Sequence, residues 1–308
     1  MDGMMKLGCA AWSLTPTYDS PFDGVIETIA RLGFQGFELI AASRQVMDEY
    51  YTPTRCDQLA RQATAHKLQV SQFVIYAHAI EGLASLNADE RERSLVDFEQ
   101  GVRIAKALGA PIVNTVSHWL PGLEAATPYP PALIYITIPG IQRFDPKLTF
   151  TYPDFDWDQV WDNYVESMRI CAGIAADHGL QFALEGHPHV IVSHTDSFLR
   201  LFDRVPHPAL GMNYDTGMQS DQREYIPISI KKLKHRIFHT HIRDSDSLLT
   251  HQLPCGQGVL NWPEILRALQ SVGYDGFLSL EFSGYKEPEK YLLQSRLYLE
   301  QILADITR

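Results

Sequence analysis

Gln181-Phe-Ala-Leu-Glu185 is a short apolar run closed by a carboxylate, and three later runs repeat its form: Leu210-Gly-Met-Asn-Tyr-Asp215, Ile237-Phe-His-Thr-His241 and Phe277-Leu-Ser-Leu-Glu281. Each reads as a buried strand whose last residue is acidic or an imidazole. Such a group at the carboxyl end of a buried strand loses water without gaining apolar contact. One case is ordinary and is met by a nearby Arg or Lys; a series of four points to a shared counter-charge. A single divalent cation supplies it, so Glu185, Asp215, His241 and Glu281 are read as metal ligands. Three carboxylates with one imidazole suit Mn²⁺, the expected ion, with Mg²⁺, Co²⁺ and Zn²⁺ as alternatives.

Outward from these runs, strand-like and helix-like stretches alternate along the whole chain. Strands are read at Lys6–Trp12, Phe34–Ile40, Gln69–Tyr76, Pro111–Ser117, Gln181–Gly186, Ala209–Asp215, Ile237–His241 and Phe277–Phe282. Between them, Leu95, Phe98, Val102 and Leu108 recur at helical spacing, and Gly109 closes that helix. Asp196 is read as the cap of a helix over Ser197–Arg204, and Asn261 as the cap of one that begins Trp262-Pro263-Glu264. Near-continuous apolar strands mark a sheet covered on both faces. Eight βα units predict an α/β fold, a single (β/α)8 TIM barrel domain over residues 1–308. A doubly wound open sheet has fewer strands and a glycine-rich first turn, which Cys9-Ala-Ala-Trp12 is not. All strands of a barrel open their carboxyl ends onto one face, where active sites are built. The ligand candidates are 30, 26 and 40 residues apart, about one βα unit each, so they fall side by side on strands five to eight.

The composition, 45% hydrophobic and 20% charged, is core-forming. A net charge of −11 argues against general affinity for a nucleic-acid backbone. Cys9, Cys56, Cys171 and Cys255 lie far apart with no Cys-x-x-Cys spacing, which suggests neither a zinc knuckle nor a disulfide framework. The start, Met1 to Leu7, lacks the basic and apolar regions of a signal peptide, and no apolar run approaches the ~20 residues of a membrane span. The expectation is a soluble, cytoplasmic protein with neither nucleic acid nor membrane as partner.

One segment breaks the alternation. His118–Phe155, after strand four, is far longer than an ordinary βα loop and carries Tyr129, Tyr135, Phe144, Phe150, Tyr152 and Phe155. Alternation in Leu133–Ile138 and Lys147–Tyr152 predicts a β-hairpin there. So much apolar surface predicts an inserted lid over the barrel mouth, or an interface between subunits of a homo-oligomer.

These features, together with Gly33-Phe-Gln-Gly-Phe-Glu38, Tyr214-Asp-Thr-Gly217, Thr240-His-Ile-Arg-Asp244 and the tail from Pro254-Cys-Gly-Gln-Gly258 to Gly273-Tyr-Asp-Gly276, resemble the xylose-isomerase-like TIM-barrel superfamily. Within it the resemblance is to the sugar phosphate isomerase/epimerase group around D-tagatose 3-epimerase and inosose dehydratase, and it covers nearly the whole chain outside the insertion. It implies that Glu185, Asp215, His241 and Glu281 hold one divalent metal, with the two glutamates on opposite sides of a small sugar substrate. Two positions depart from the tagatose type. Met218 stands where a substrate-binding His follows the strand-six Asp, and Ser247 where an Arg follows the metal His. Both point away from a free ketohexose of that type.

A metal so held polarises a ketone and acidifies the neighbouring C–H, which makes Glu185 and Glu281 the expected catalytic pair. Proton return on the opposite face gives epimerisation, return to the adjacent carbon isomerisation, and loss of a β-leaving group elimination. The expected function is a metal-dependent isomerase or epimerase of a keto-sugar or sugar derivative, working through an enediolate. The alternative is a lyase or dehydratase on keto-sugars or 3-keto glycosides, resembling inosose dehydratase or the C-glycoside deglycosidases, whose catalytic subunits act with a small partner subunit. Endonuclease IV, a DNA-repair enzyme of the same superfamily, is more distant: it needs three metals, and here no His closely follows Asp215 and Leu249 replaces its Asp. A non-catalytic scaffold is disfavoured by the presence of all four ligands.

His187, two residues beyond Glu185, is expected as a further acid/base. Substrate contacts are expected from Tyr76 and His78 after strand three, His118 after strand four, Glu38 at the end of strand two, Arg243, and His251 in the loop after strand seven. Trp12 is read as an apolar wall for a sugar face. His66, His178, His207 and His235 are read as solvated.

Overall fold

The computed structural model of the chain describes residues 5–14, 23–125, 150–247 and 252–306. Its first strand, β1 (Lys6–Ala10), pairs with β2 (Gly36–Ala41), and the sheet continues through β3 (Gln69–Ile75) to β4 (Ile112–Val116). A short antiparallel pair outside the barrel follows, β5 (Glu124–Ala125) with β6 (Phe150–Thr151). The sheet resumes with β7 (Gln181–Glu185), β8 (Leu210–Asp215), β9 (Ile237–Ile242) and β10 (Phe277–Leu280), and β10 pairs back onto β1. All barrel pairings are parallel, so the chain forms a closed eight-stranded TIM barrel.

Helices cover the outside, and their ends follow from local chemistry. Those of the first half are α1 (Asp23–Arg31), α2 (Arg44–Glu49), α3 (Pro53–Ala65) and α4 (Ala88–Leu108). Asn87 caps α4, and Gly109, at φ 78°, ends it in the left-handed conformation that glycine adopts without strain. This helix lies so close to β3 that a Cβ on Gly101 would meet the Ile75 side chain at 2.1 Å. The second half adds α5 (Trp157–Asp177), α6 (Thr195–Arg204), α7 (Thr216–Asp221), α8 (Ile226–Leu233), α9 (Trp262–Ser271) and α10 (Pro288–Ile306). Asn261 caps α9 as its sequence predicts. The cap of α6 is His194 rather than Asp196: its ring accepts from Ser197 N at 3.2 Å, and Ser197 Oγ accepts from His194 N at 3.0 Å. Asp196 sits inside the first turn and pairs with Lys232.

Strand ends set the height of each side chain in the barrel. Trp12 lies in a 3₁₀ turn beyond β1. Glu281 lies one residue beyond β10, its N–H still reaching Ile242 O at 3.2 Å. Glu38 is not at the end of β2 but in its middle, because the buried apolar residues Leu39, Ile40 and Ala41 carry the strand onward. It joins a buried polar layer of Gln72, Asn114, Asn213, His239 and Ser279, beneath the mouth. In the insertion, Ala125 stands opposite Phe150. The predicted strand Leu133–Ile138 lies outside the described residues, as do Tyr129, Tyr135 and Phe144. Among the described residues, no helix is long and apolar enough to cross a membrane.

Candidate metal centre and cavity

Glu185 ends β7, Asp215 ends β8, His241 is next to last in β9, and Glu281 follows β10. Four neighbouring strands therefore deliver their terminal side chains to one point. One ligand atom from each lies within 4.8 Å of all the others. His241 Nδ1 is 3.2 Å from both Glu185 Oε2 and Glu281 Oε2. Each glutamate turns its second oxygen outward: Glu185 Oε1 is 3.0 Å from His187 Nε2, and Glu281 Oε1 accepts from Trp12 Nε1 at 2.9 Å. Asp215 Oδ1 caps α7 through Gly217 N and Met218 N and also takes Arg243 Nε, while its Oδ2 pairs with Arg243 Nη2.

The set fits a divalent ion. Three carboxylates and one imidazole are hard-to-borderline donors of the kind Mn²⁺, Mg²⁺, Co²⁺ and Zn²⁺ accept. Glu281 Oε2 comes to 2.9 Å from Arg243 Nη2 and 3.2 Å from His241 Nδ1 by charge alone, with no hydrogen bond aligned on it. Buried acidic oxygens without donors are costly unless a cation meets them.

The charges in this space work on one another. Burial drives the Glu281 carboxyl above the usual carboxylate range; Arg243 and His241 offset part of the rise, and Glu185 and Asp215 add to it. Burial would raise Glu185 too, but His241 and His187 outweigh it and hold Glu185 well below that range. For His241, burial disfavours the charge and is overcome by Glu185, Glu281 and Glu38.

A cavity of about 670 Å³ opens above the cluster. Trp12, Tyr76, His78, His187, Arg243 and His118 all line it, together with Trp119 and Met218. Trp12 does more there than wall off apolar surface, since its Nε1–H holds Glu281. The His78 ring stacks on Trp119, centroids 5.4 Å apart. His118 commits its ring nitrogens to Ile80 O at 3.0 Å and the Tyr164 hydroxyl at 3.2 Å. Glu38 does not line the cavity. It is fully buried one layer below, 3.0 Å from both His239 Nε2 and His241 Nε2. His251 lies outside the described residues. Sequence reasoning missed Gln72, Asn213, His239 and Trp119. The i, i+2 spacing of Asn213 with Asp215 and of His239 with His241 was the available signal, since alternate strand residues share a face.

Among the described residues, two groups of potential ligands come together, and they share His241: the four-residue cluster, and Glu38 with His239. His78 and His118 belong to neither. A model of the xylose isomerase-like TIM barrel family matches residues 26–302, with all four cluster residues inside. The chain belongs to that family. Proteins with which it aligns include fructoselysine 3-epimerase of Escherichia coli O157:H7, 28% identical over 154 residues that make up 50% of this chain and 54% of that protein. Inosose dehydratase of Geobacillus thermodenitrificans is 22% identical over 178 residues, 51% of this chain and 58% of that one. The chain thus spans little more than half the length of these two relatives. The barrel is also similar to that of D-psicose 3-epimerase from Clostridium cellulolyticum H10, solved with D-tagatose, with a TM-score of 0.77 over 97% of this chain and 99% of that one, at 17% identity.

Proposed function

We propose that this xylose isomerase-like protein is a divalent-metal-dependent isomerase or epimerase that moves a proton beside the carbonyl of a keto-sugar or sugar derivative. One observation carries the reading. Glu185 and Glu281 both face His241 with Oε2 and both turn Oε1 to a separate donor, His187 on one side and Trp12 on the other. Each carboxylate therefore has one oxygen for a ligand role and one within the cavity for a proton. A divalent ion held by Glu185, Asp215, His241 and Glu281 would polarise the substrate carbonyl. Glu185 Oε1 takes the proton from one face and Glu281 returns one from its own side, His187 and Trp12 orienting the two groups. Tyr76, His78, Trp119 and Arg243 line the space that the sugar would fill.

Elimination is the second reading. It draws on His187, placed on the cavity wall where it can protonate a departing hydroxyl, and on the similarity to inosose dehydratase. Ketoses, inososes and 3-keto glycosides offered in D₂O with Mn²⁺ separate the two. Deuterium at the carbon beside the carbonyl of a rearranged product supports proton transfer, whereas loss of water or of an aglycone supports elimination. Glu281→Gln should lower turnover by about 10²–10⁴ while the ion is retained. A variant that keeps full turnover would remove Glu281 from the role.

A further inference from the structure

His241 is held at both ring nitrogens by carboxylate oxygen and amide nitrogen alike, but the carboxylates at one end line the cavity and the one at the other is buried beneath it. Nδ1 looks toward Glu185 Oε2 and Glu281 Oε2, with Asn213 Nδ2 3.1 Å away. Nε2 looks down the barrel, 3.0 Å from Glu38 Oε2. Gln72 Nε2 donates to that same oxygen at 2.6 Å, and His239 Nε2 lies 3.0 Å from Glu38 Oε1. An ionised carboxylate only accepts, so three donors converge on Glu38, and one of them is the N–H at His241 Nε2. Amide NH₂ groups stand at both ring nitrogens, Asn213 Nδ2 3.1 Å from Nδ1 and Gln72 Nε2 3.1 Å from Nε2, so the choice falls to the carboxylates: an ion held among Glu185, Asp215 and Glu281 would take the Nδ1 lone pair and leave the proton at Nε2 for Glu38. Glu38, Gln72 and His239 are fully buried and do not line the cavity, so they act on the site only through His241.

We propose that Glu38, braced by His239 and Gln72, is a positioning residue that keeps Nε2 of His241 protonated and turns Nδ1 to the three carboxylates as the ligand nitrogen. The inference rests on the reading that the four-residue cluster holds a divalent ion. A partner on the far nitrogen fixes the tautomer and orientation of a ligating imidazole and raises its basicity. Glu38→Gln keeps the shape but replaces one acceptor oxygen by an NH₂. At least one of the three donors is then opposed, and either His241 or His239 must rotate or change tautomer.

The test compares Mn²⁺ affinity of the full chain by calorimetry in wild type, Glu38→Gln and His239→Gln, with circular dichroism as the check on folding. It is paired with ¹⁵N NMR of histidine-labelled wild type loaded with Zn²⁺, His241 being assigned by the signal lost in His241→Gln. The expected result is a roughly 10–100-fold weaker Kd in Glu38→Gln, a smaller loss in His239→Gln, and a wild-type His241 that is protonated at Nε2 and ligated at Nδ1. A Glu38→Gln protein that melts earlier but binds Mn²⁺ within about twofold of wild type has lost only a structural contact, and the proposal falls. If Glu38→Gln does not fold, the wild-type spectrum decides alone, and ligation through Nε2 overturns the assignment. Failure of wild type to take up any ion overturns the metal reading itself, and this inference with it.

Discussion

His118 lies two residues beyond β4, where a sugar-binding residue is expected, yet Ile80 O and the Tyr164 hydroxyl occupy both ring nitrogens. Burial, aided by His78 and only partly offset by the bond to Ile80, lowers its pKa to about 4. The unfolded chain binds a proton at this imidazole near pH 6.5 and the folded chain only near 4, so the unfolded state holds more protons in between. Stability should therefore fall as pH drops through that window, by about 2–3 kcal/mol at pH 4.5. Urea unfolding of wild type and His118→Gln at pH 7 and 4.5 measures it; the substitution should flatten the dependence, and an equal loss in both proteins would contradict it. The same residue marks the limit of what the sequence discloses. A polar side chain that closes an apolar run is conspicuous, which is why Glu185, Asp215, His241 and Glu281 were legible. Whether such a group faces substrate or is tied to backbone depends on partners 38 and 46 residues away, Ile80 and Tyr164. Glu38 is the converse case: a charge inside a strand reads as a strand end unless its partners, Gln72 and His239, are known.

Helices and strands were legible where one signal dominated and blurred where several competed. Asn261 before Trp-Pro offers one capping residue, and α9 begins there. Ser193-His-Thr-Asp-Ser197 offers five polar residues in a row, and the cap falls on the imidazole because its Nδ1 reaches Ser197 N while Ser197 answers with its own hydroxyl. The insertion after β4 was legible as an interruption of the βα alternation, and its near end reaches the site: Trp119, Leu120, Pro121 and Leu123 line the cavity. The opposition of Ala125 and Phe150 suggests how to test its role, because a two-residue turn such as Asn-Gly can close a pair of strands at that register. Replacing residues 126–149 by that turn should leave the barrel folded and its affinity for Mn²⁺ unchanged, since neither the eight strands nor the four candidate ligands are touched. If the segment closes the cavity, KM for the substrate should rise by about tenfold or more, as contacts that exclude water from a bound ligand are lost. Unchanged kinetics and an unchanged mass by light scattering would assign the segment no part in binding or assembly.

At the scale of the whole molecule, the candidate ligands are pooled from four consecutive units of a closed barrel, β7 through β10, which is half its circumference. No short piece of chain holds two of them: the nearest pair in sequence, Asp215 and His241, is separated by α7 and α8. The unfolded chain thus has no comparable site, and whatever binds the cluster stabilises the folded barrel by mass action. The electrostatics point the same way, because Glu185, Asp215 and Glu281 converge on one another with Arg243 and His241 between them. Mn²⁺ at about a hundredfold excess over its Kd should add about 2.7 kcal/mol to stability. For a chain of 308 residues that is a rise in Tm on the order of 4 °C over the protein treated with EDTA. Glu185→Ala should abolish the increment while leaving the EDTA-treated midpoint within a few degrees of wild type. Identical melting of the wild type with Mn²⁺ and with EDTA, at an ion concentration spanning micromolar to millimolar, would remove a divalent cation from the account of this site and leave the buried carboxylates balanced by Arg243 and His241 alone.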